Sequence, residues 1–264
     1  MSLADTEPTA LPPAVLARWQ FTAVDDGNTT VLPDGCRDLI LNVDALGRPR
    51  WHVSPLTDTV VDVRGQAGEH WLGYRMQPGA LLDTEGLLRA VCAMKLPELD
   101  GRDGHHRNHG HGQRDPHRFP PEPSSGPSLR PPDWMNAELE RTVLEAMEAH
   151  TRLDVRIQEA LHTLAHARSV AQATRALKVS ERSLERLTRQ TTARPPRFWL
   201  ALARVRRAVR DLGTARPLVE IAADHGFADQ AHFSRECRRW LGQTPSMLRR
   251  HPLSLITATQ AGYG

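Results

Sequence analysis

The spacing of apolar residues divides the chain into two halves of different period. Up to about residue 95 they come in short runs or alternate with polar residues, broken by Pro and Gly. Leu39-Ile40-Leu41 follows a Pro-Asp-Gly turn. Apolar and polar residues alternate around Val60, Val61 and Val63, and HWLGYRM runs into Pro78-Gly79. Short strands separated by such turns predict a small barrel or sandwich, with a short helix over 84–94. From about residue 134 the spacing turns helical. Leu139, Val143, Leu144 and Met147 share one face, and Ile157, Leu161 and Leu164 mark the next amphipathic helix. Residues 98–133 are dense in Gly, Pro, His and Ser and almost without aliphatics. Such a stretch buries too little apolar surface to offset its ordering entropy and is expected to be a disordered linker. The predicted fold class is α+β in two domains: a β domain over 1–97, the linker over 98–133, a connecting helix over 134–152, an all-α domain over 153–251, and a flexible tail over 252–264.

The all-α part shows one plan twice, over 169–192 and 217–241. In the first copy Ser169 is placed to cap a helix through about Leu177, with Val170, Ala173 and Leu177 facing inward. A turn at Lys178-Val179 follows, and Ser180 caps a second helix. Leu184 and Leu187 of that helix point to the core. Arg182, Glu185, Arg186 and Arg189 share its outer face. In the second copy Pro217 opens a helix whose Val219, Ile221 and Ala222 are expected inside. Gly226 is placed to end it in the left-handed conformation, with Phe227 folding back onto the core. Asp229 caps the next helix, which buries Phe233, Cys237 and Trp240 and presents Gln230, His232, Ser234, Arg235 and Arg238. A helix, a tight turn and a capped second helix with a polar, arginine-bearing face are tandem helix-turn-helix units, the geometry that enters a major groove. Between the copies, Phe198, Leu202, Val205 and Val209 stripe a linker helix of about 17 residues, ~25 Å long.

Charge sharpens this picture. The chain as a whole carries a formal +3, but residues 168–250 hold 18 basic against 7 acidic residues, +11, while the remainder holds 16 against 24, −8. A basic module on an acidic chain suggests a polyanion partner.

At this point a resemblance enters. PLVEIAADHGFADQAHFSRECRRWLGQTPSMLRR follows, almost residue by residue, the P-x-x-x-I-A-x-x-x-G-F-x-D-x-x-H-F-S-R pattern and G-x-T-P-x-x-x-R ending of the AraC/XylS family of bacterial transcription regulators. The first unit resembles the family through VSERSLERL. It departs at Lys178 and Ala193, where glycine is common, and at Thr188, where an aromatic residue is. In the second unit Cys237 stands for phenylalanine and Leu248 for tyrosine. The resemblance implies sequence-specific binding to double-stranded promoter or operator DNA. It assigns base readout to Arg182, Glu185, Arg186, Gln230, Ala231, His232 and Arg235, and backbone contacts to Ser180, Arg189, Ser234 and Arg238. It also implies a small-molecule effector, RNA polymerase as a partner and a possible homodimer. No cofactor is expected; three widely spaced cysteines fit a reducing cytoplasm, and with no run of ~18 apolar residues no membrane partner is expected.

In the N-terminal part, VLPDGCRDLILNV, HVSPLT and LGYRMQPGALL resemble the cupin-like sensor domain of one AraC subgroup. A small barrel of that kind encloses a small molecule. Cys36, His52 and His70, with Asp34 and Asp38 near, have the types but not the spacing of a metal site; LPDGC reads instead as a turn, with Asp38 in a buried hydrogen-bond network. The linker's His105, His106, His109, His111 and His117 offer weak metal binding or a pH-dependent charge. The competing function is a DNA-repair methyl-transfer protein with the same helical module. It needs a reactive cysteine among clustered thiolates, whereas Cys36, Cys92 and Cys237 are widely spaced, and no catalytic motif stands out. A regulator without enzymatic activity is the expectation.

Overall fold

A computed structural model of the protein describes residues 10–96 and 135–264. The predicted linker over 98–133, with its histidines, lies outside the described residues. The N-terminal unit contains β1 (Val15–Thr22), β2 (Gly27–Val31), β3 (Asp38–Val43), β4 (Pro49–Val53), β5 (Val61–Gly65) and β6 (His70–Met76). Four of them form an antiparallel sheet in the order β1-β6-β3-β4, while β2 and β5 pair as a separate ribbon.

Alternation decides which face is buried. Leu39, Leu41 and Val43 of β3 and Leu72, Tyr74 and Met76 of β6 point to one side and are almost fully buried. Two helices cover them: α1 (Thr84–Cys92) through Leu87 and Val91, and α2 (Ala137–His150) through Leu139, Val143, Leu144 and Met147. The β-rich N-terminal unit and the all-helical C-terminal unit follow the predicted α+β class, and the apolar face of the four-stranded sheet is covered by helices. Helix α2 does more than connect, since it supplies half of that cover. The two-residue strands β7 (Leu81–Leu82) and β8 (Thr151–Arg152) fasten the helix ends together. The opposite sheet face carries half-buried Trp19, Phe21, Trp71 and His52. Trp19 lies flat across Gly73, where an added Cβ would come within 2.0 Å of its ring.

The C-terminal unit is all helical: α3 (Val155–His166), α4 (Val170–Leu177), α5 (Glu181–Thr192), α6 (Pro196–Arg210), a short 3-10 turn, α7 (Leu218–Asp224), α8 (Gln230–Leu241), α9 (Pro245–Arg250) and α10 (Pro252–Thr259). Helix α6 runs through the middle. Its Trp199, Leu202, Ala203, Val205, Ala208 and Val209 are wholly buried, and Trp199 donates from Nε1 to Thr192 Oγ1 at 3.2 Å. Val219, expected inside, is 57% exposed; Leu218 packs against the core in its place. Helix α7 starts at Leu218 with Pro217 as its cap, and that frame turns Val219 outward.

Residues 252–264 are also ordered, against the expectation of a flexible tail. Helix α10 lies along α6, and beyond it Tyr263 is buried against Trp199, with ring centroids 4.8 Å apart. Tyr263 donates from its hydroxyl to Leu161 O and from its backbone N–H to Asp34 O, each at 2.8 Å. An apolar helix followed by one large aromatic ring gains enough burial here to offset its ordering.

The two units meet at the Pro78-Gly79 turn, where Pro78 O accepts from Gln158 Nε2 of α3 at 2.8 Å, and at two further loops. In the first, Gly35 takes a left-handed φ of 77°, and a Cβ there would lie 2.7 Å from that of Tyr263. Arg75 reaches Asp34 at 3.1 Å and Asp38 at 3.2 Å, and donates to Ala261 O at 3.0 Å. Burial opposes the charge of Arg75, but Asp38 and Asp34 together hold its pKa above the ordinary arginine value. Burial pushes Asp34 up, outweighing the pull of Arg75. Arg206 of α6, only 2% exposed, donates to Gln260 O. In the second loop, Leu56 O accepts from Arg194, Asp58 lies 3.9 Å from Arg194, and Val60 sits against Gly242.

Candidate nucleic-acid interface

The two predicted helix pairs form as drawn. Ser169 caps α4 by accepting from Gln172 N, and Ser180 caps α5 by accepting from Ser183 N. Asp229 caps α8 by accepting from His232 N. Each cap satisfies one orphan donor of a first helical turn and fixes where the helix begins. The helix ends obey the same logic. Lys178 and Ala193 close α4 and α5 in the left-handed region, at φ 55° and 58°, and Gly242 closes α8 at 69°. These are the two positions at which the sequence departs from glycine. The backbone keeps the glycine conformation and carries a side chain in it.

On α5, Leu184 and Thr188 are buried, and Arg182, Arg186 and Arg189 are exposed. Arg182 and Arg186 engage no partner among the described residues, whereas Arg189 is ion-paired with Glu185. On α8, Phe233, Cys237 and Trp240 are buried, and Gln230, Ala231, Arg235 and Arg238 are exposed. Arg235 and Arg238 are likewise without a side-chain partner among the described residues. Ser234 donates to Gln230 O at 2.9 Å. His232 is placed differently from the other readout candidates. Its Nδ1 accepts from Ala228 N at 3.2 Å, and its ring meets the Phe227 ring edge-on at 5.5 Å. It holds the turn, a role that the i, i+4 spacing from Ala228 to His232 could have suggested.

Between the two units lies a groove of about 860 Å³, floored by α6. Arg197 and Arg204 project from that floor. Arg197 is exposed and engages no partner among the described residues. Arg204 stacks its guanidinium over the Phe227 ring at 4.8 Å and donates to Gly226 O at 3.4 Å, leaving its Nε buried without a hydrogen-bond partner. Arg239, over the Trp240 ring, lines the far wall, and the first turn of α4 the near one. Sequence reasoning passed over both floor arginines, although their i, i+7 spacing on the linker helix already put them on one face.

The three cysteines do not cluster, and only Cys92, on α1, is exposed. Cys36 and Cys237 are buried, and burial pushes both thiols well above the ordinary cysteine range. A methyl acceptor needs an accessible thiolate. Among the described residues no three His, Cys, Asp or Glu side chains converge on a metal position, and no helix is long and apolar enough to cross a membrane.

Two helix-turn-helix units on one rigid helix, each presenting unpaired arginines, define a double DNA-binding domain of the kind found in bacterial transcription regulators. Residues 173–251 match the sequence model of a family described as a helix-turn-helix domain. No curated protein matches the chain. Among solved structures, the C-terminal domain of AraT, a response regulator from Geobacillus stearothermophilus, is 26% identical over 38% of this chain and 87% of its own, with a TM-score of 0.35. A transcriptional regulator with an AraC-type DNA-binding domain from Chromobacterium violaceum is 27% identical over 40% of this chain and 95% of its own, with a TM-score of 0.34. ToxT from Vibrio cholerae O395 is 9% identical over 92% of this chain and 97% of its own, with a TM-score of 0.39.

Proposed function

We propose that the protein is a sequence-specific transcription regulator that lays α5 and α8 into two successive major grooves of one duplex. The observation that carries this reading is the pair of capped helices on either side of α6, each offering exposed arginines without a partner among the described residues. Arginine matches guanine O6 and N7, and glutamine matches adenine N6 and N7. Base readout falls to Arg182, Glu185 and Arg186 on α5 and to Gln230, Ala231 and Arg235 on α8. His232 serves mainly by fixing the α7–α8 turn. Ser180, Arg189, Ser234 and Arg238 face the backbone. The N-terminal unit is the regulatory input, responding to a small molecule and acting through its contacts with α6; RNA polymerase and a second copy of the chain are its further partners.

In-vitro selection from a random duplex pool tests this reading. Enrichment of a two-part motif, with halves about one helical turn apart, is the expected result. A short half-motif alone would restrict readout to one unit, and no enrichment would overturn sequence specificity. On the selected site, Arg235→Ala is expected to cost about 1–3 kcal/mol and to relax preference at one base position. Unchanged preference removes Arg235 from the readout set.

A further inference from the structure

We infer that the groove between the two helix-turn-helix units is a phosphodiester seat, in which Arg197 and Arg204 of α6 hold the DNA backbone that passes between the two major grooves. This rests on the DNA-binding reading above and adds the linker helix to the interface.

Three observations support it. First, place: the groove is bounded by α5 on one side and α8 on the other, so a duplex spanning both helices crosses it. Second, charge and geometry: Arg197 is exposed and unpaired among the described residues, and Arg204 holds its guanidinium over the Phe227 ring, 4.8 Å from the centroid. A stacked guanidinium is held in one orientation, so little freedom is lost when its N–H groups meet a phosphate oxygen. The first turn of α4, at Ser169–Ala171, lines the same groove and adds backbone donors and the positive end of a helix dipole. Third, the filling of one end: Asp58, from the N-terminal unit, lies 3.9 Å from Arg194, placing a carboxylate where the groove's arginines would otherwise meet a phosphate. Glu181 and Glu236 also line the walls, but Glu236 already accepts from Trp240 Nε1.

The test is the salt dependence of binding, measured with the full chain on a mixed-sequence duplex about three helical turns long. Each phosphate contact contributes about 0.9 to the slope of log K against log salt, whatever the sequence. Arg197 is exposed and makes no hydrogen bond or ion pair among the described residues, so Arg197→Ala is expected to fold and to lower the slope by about one. Arg197→Ala with Arg204→Ala is expected to lower it by about two, with the selected base preference unchanged. Arg141→Ala on α2 removes an equal charge far from the groove and is expected to leave the slope alone. A full slope in the Arg197→Ala protein, or a loss of base preference in place of slope, overturns the proposal. If the unaltered chain binds this duplex without salt dependence, it is the DNA-binding reading that fails.

Discussion

At the scale of single residues, the left-handed helix ends carry the clearest cost. Ala193 and Lys178 hold φ values that suit glycine, and an L side chain there costs about 1–2 kcal/mol. Ala193→Gly is therefore expected to stabilise the protein by about 1 kcal/mol, read as a higher urea midpoint with an unchanged slope. No change would mean that the side chain regains the cost through packing. Thr188 makes a related point. It is fully buried in α5, at a place where the resemblance expects an aromatic ring, and its hydroxyl is satisfied by Glu185 O at 3.2 Å. A small polar residue is tolerated in that core because it bonds back to its own helix.

At the scale of elements, the caps decide how firmly each recognition helix is presented. Ser180 satisfies the first turn of α5 through Ser183 N. Ser180→Ala is expected to cost about 1 kcal/mol of stability and to fray that turn. Because the same turn carries Arg182, amide exchange there should rise together with the dissociation rate from DNA. A rise in neither would show that tertiary packing alone holds the helix. These elements were legible in advance because their signals are local: Ser, Asp and Gly at helix ends, and apolar residues three and four apart. What escaped the sequence was set by distant partners. The cover on the sheet's apolar face comes in part from α2, many residues further along the chain. Strand β1 gave little warning, since Trp19 and Phe21 face the half-buried side of the sheet. Val219 and Leu218 exchanged places through a single residue of helix phase. Arg197 and Arg204 drew no attention until α5 and α8 were seen on either side of them.

At the scale of the molecule, the residues after Pro252 bind the two units into one body. Tyr263 joins α3, α6 and the Asp34 loop, and Gln260 and Ala261 accept from Arg206 and Arg75. Tyr263→Ala is expected to cost about 3 kcal/mol or more, by analogy with other buried aromatic deletions. Hydrogen exchange should then increase in α3, α6 and residues 33–38 at once. A loss confined to α10 would show that the ring packs only locally.

The 54–60 loop grips Arg194, just past the end of α5, and Gly242, at the end of α8. One segment of the N-terminal unit thus spans both reading heads. A hinge in α6 alone would let them slide, but a strap across their ends makes the pair a ruler. Inserting one base pair between the half-sites moves them apart by about 3.4 Å and rotates one relative to the other by about 35°. The intact chain should reject such an operator sharply, by tenfold or more, and a chain whose strap is loosened by Val60→Gly and Asp58→Gly should measure less strictly. Equal tolerance in both would mean that α6 sets the spacing unaided.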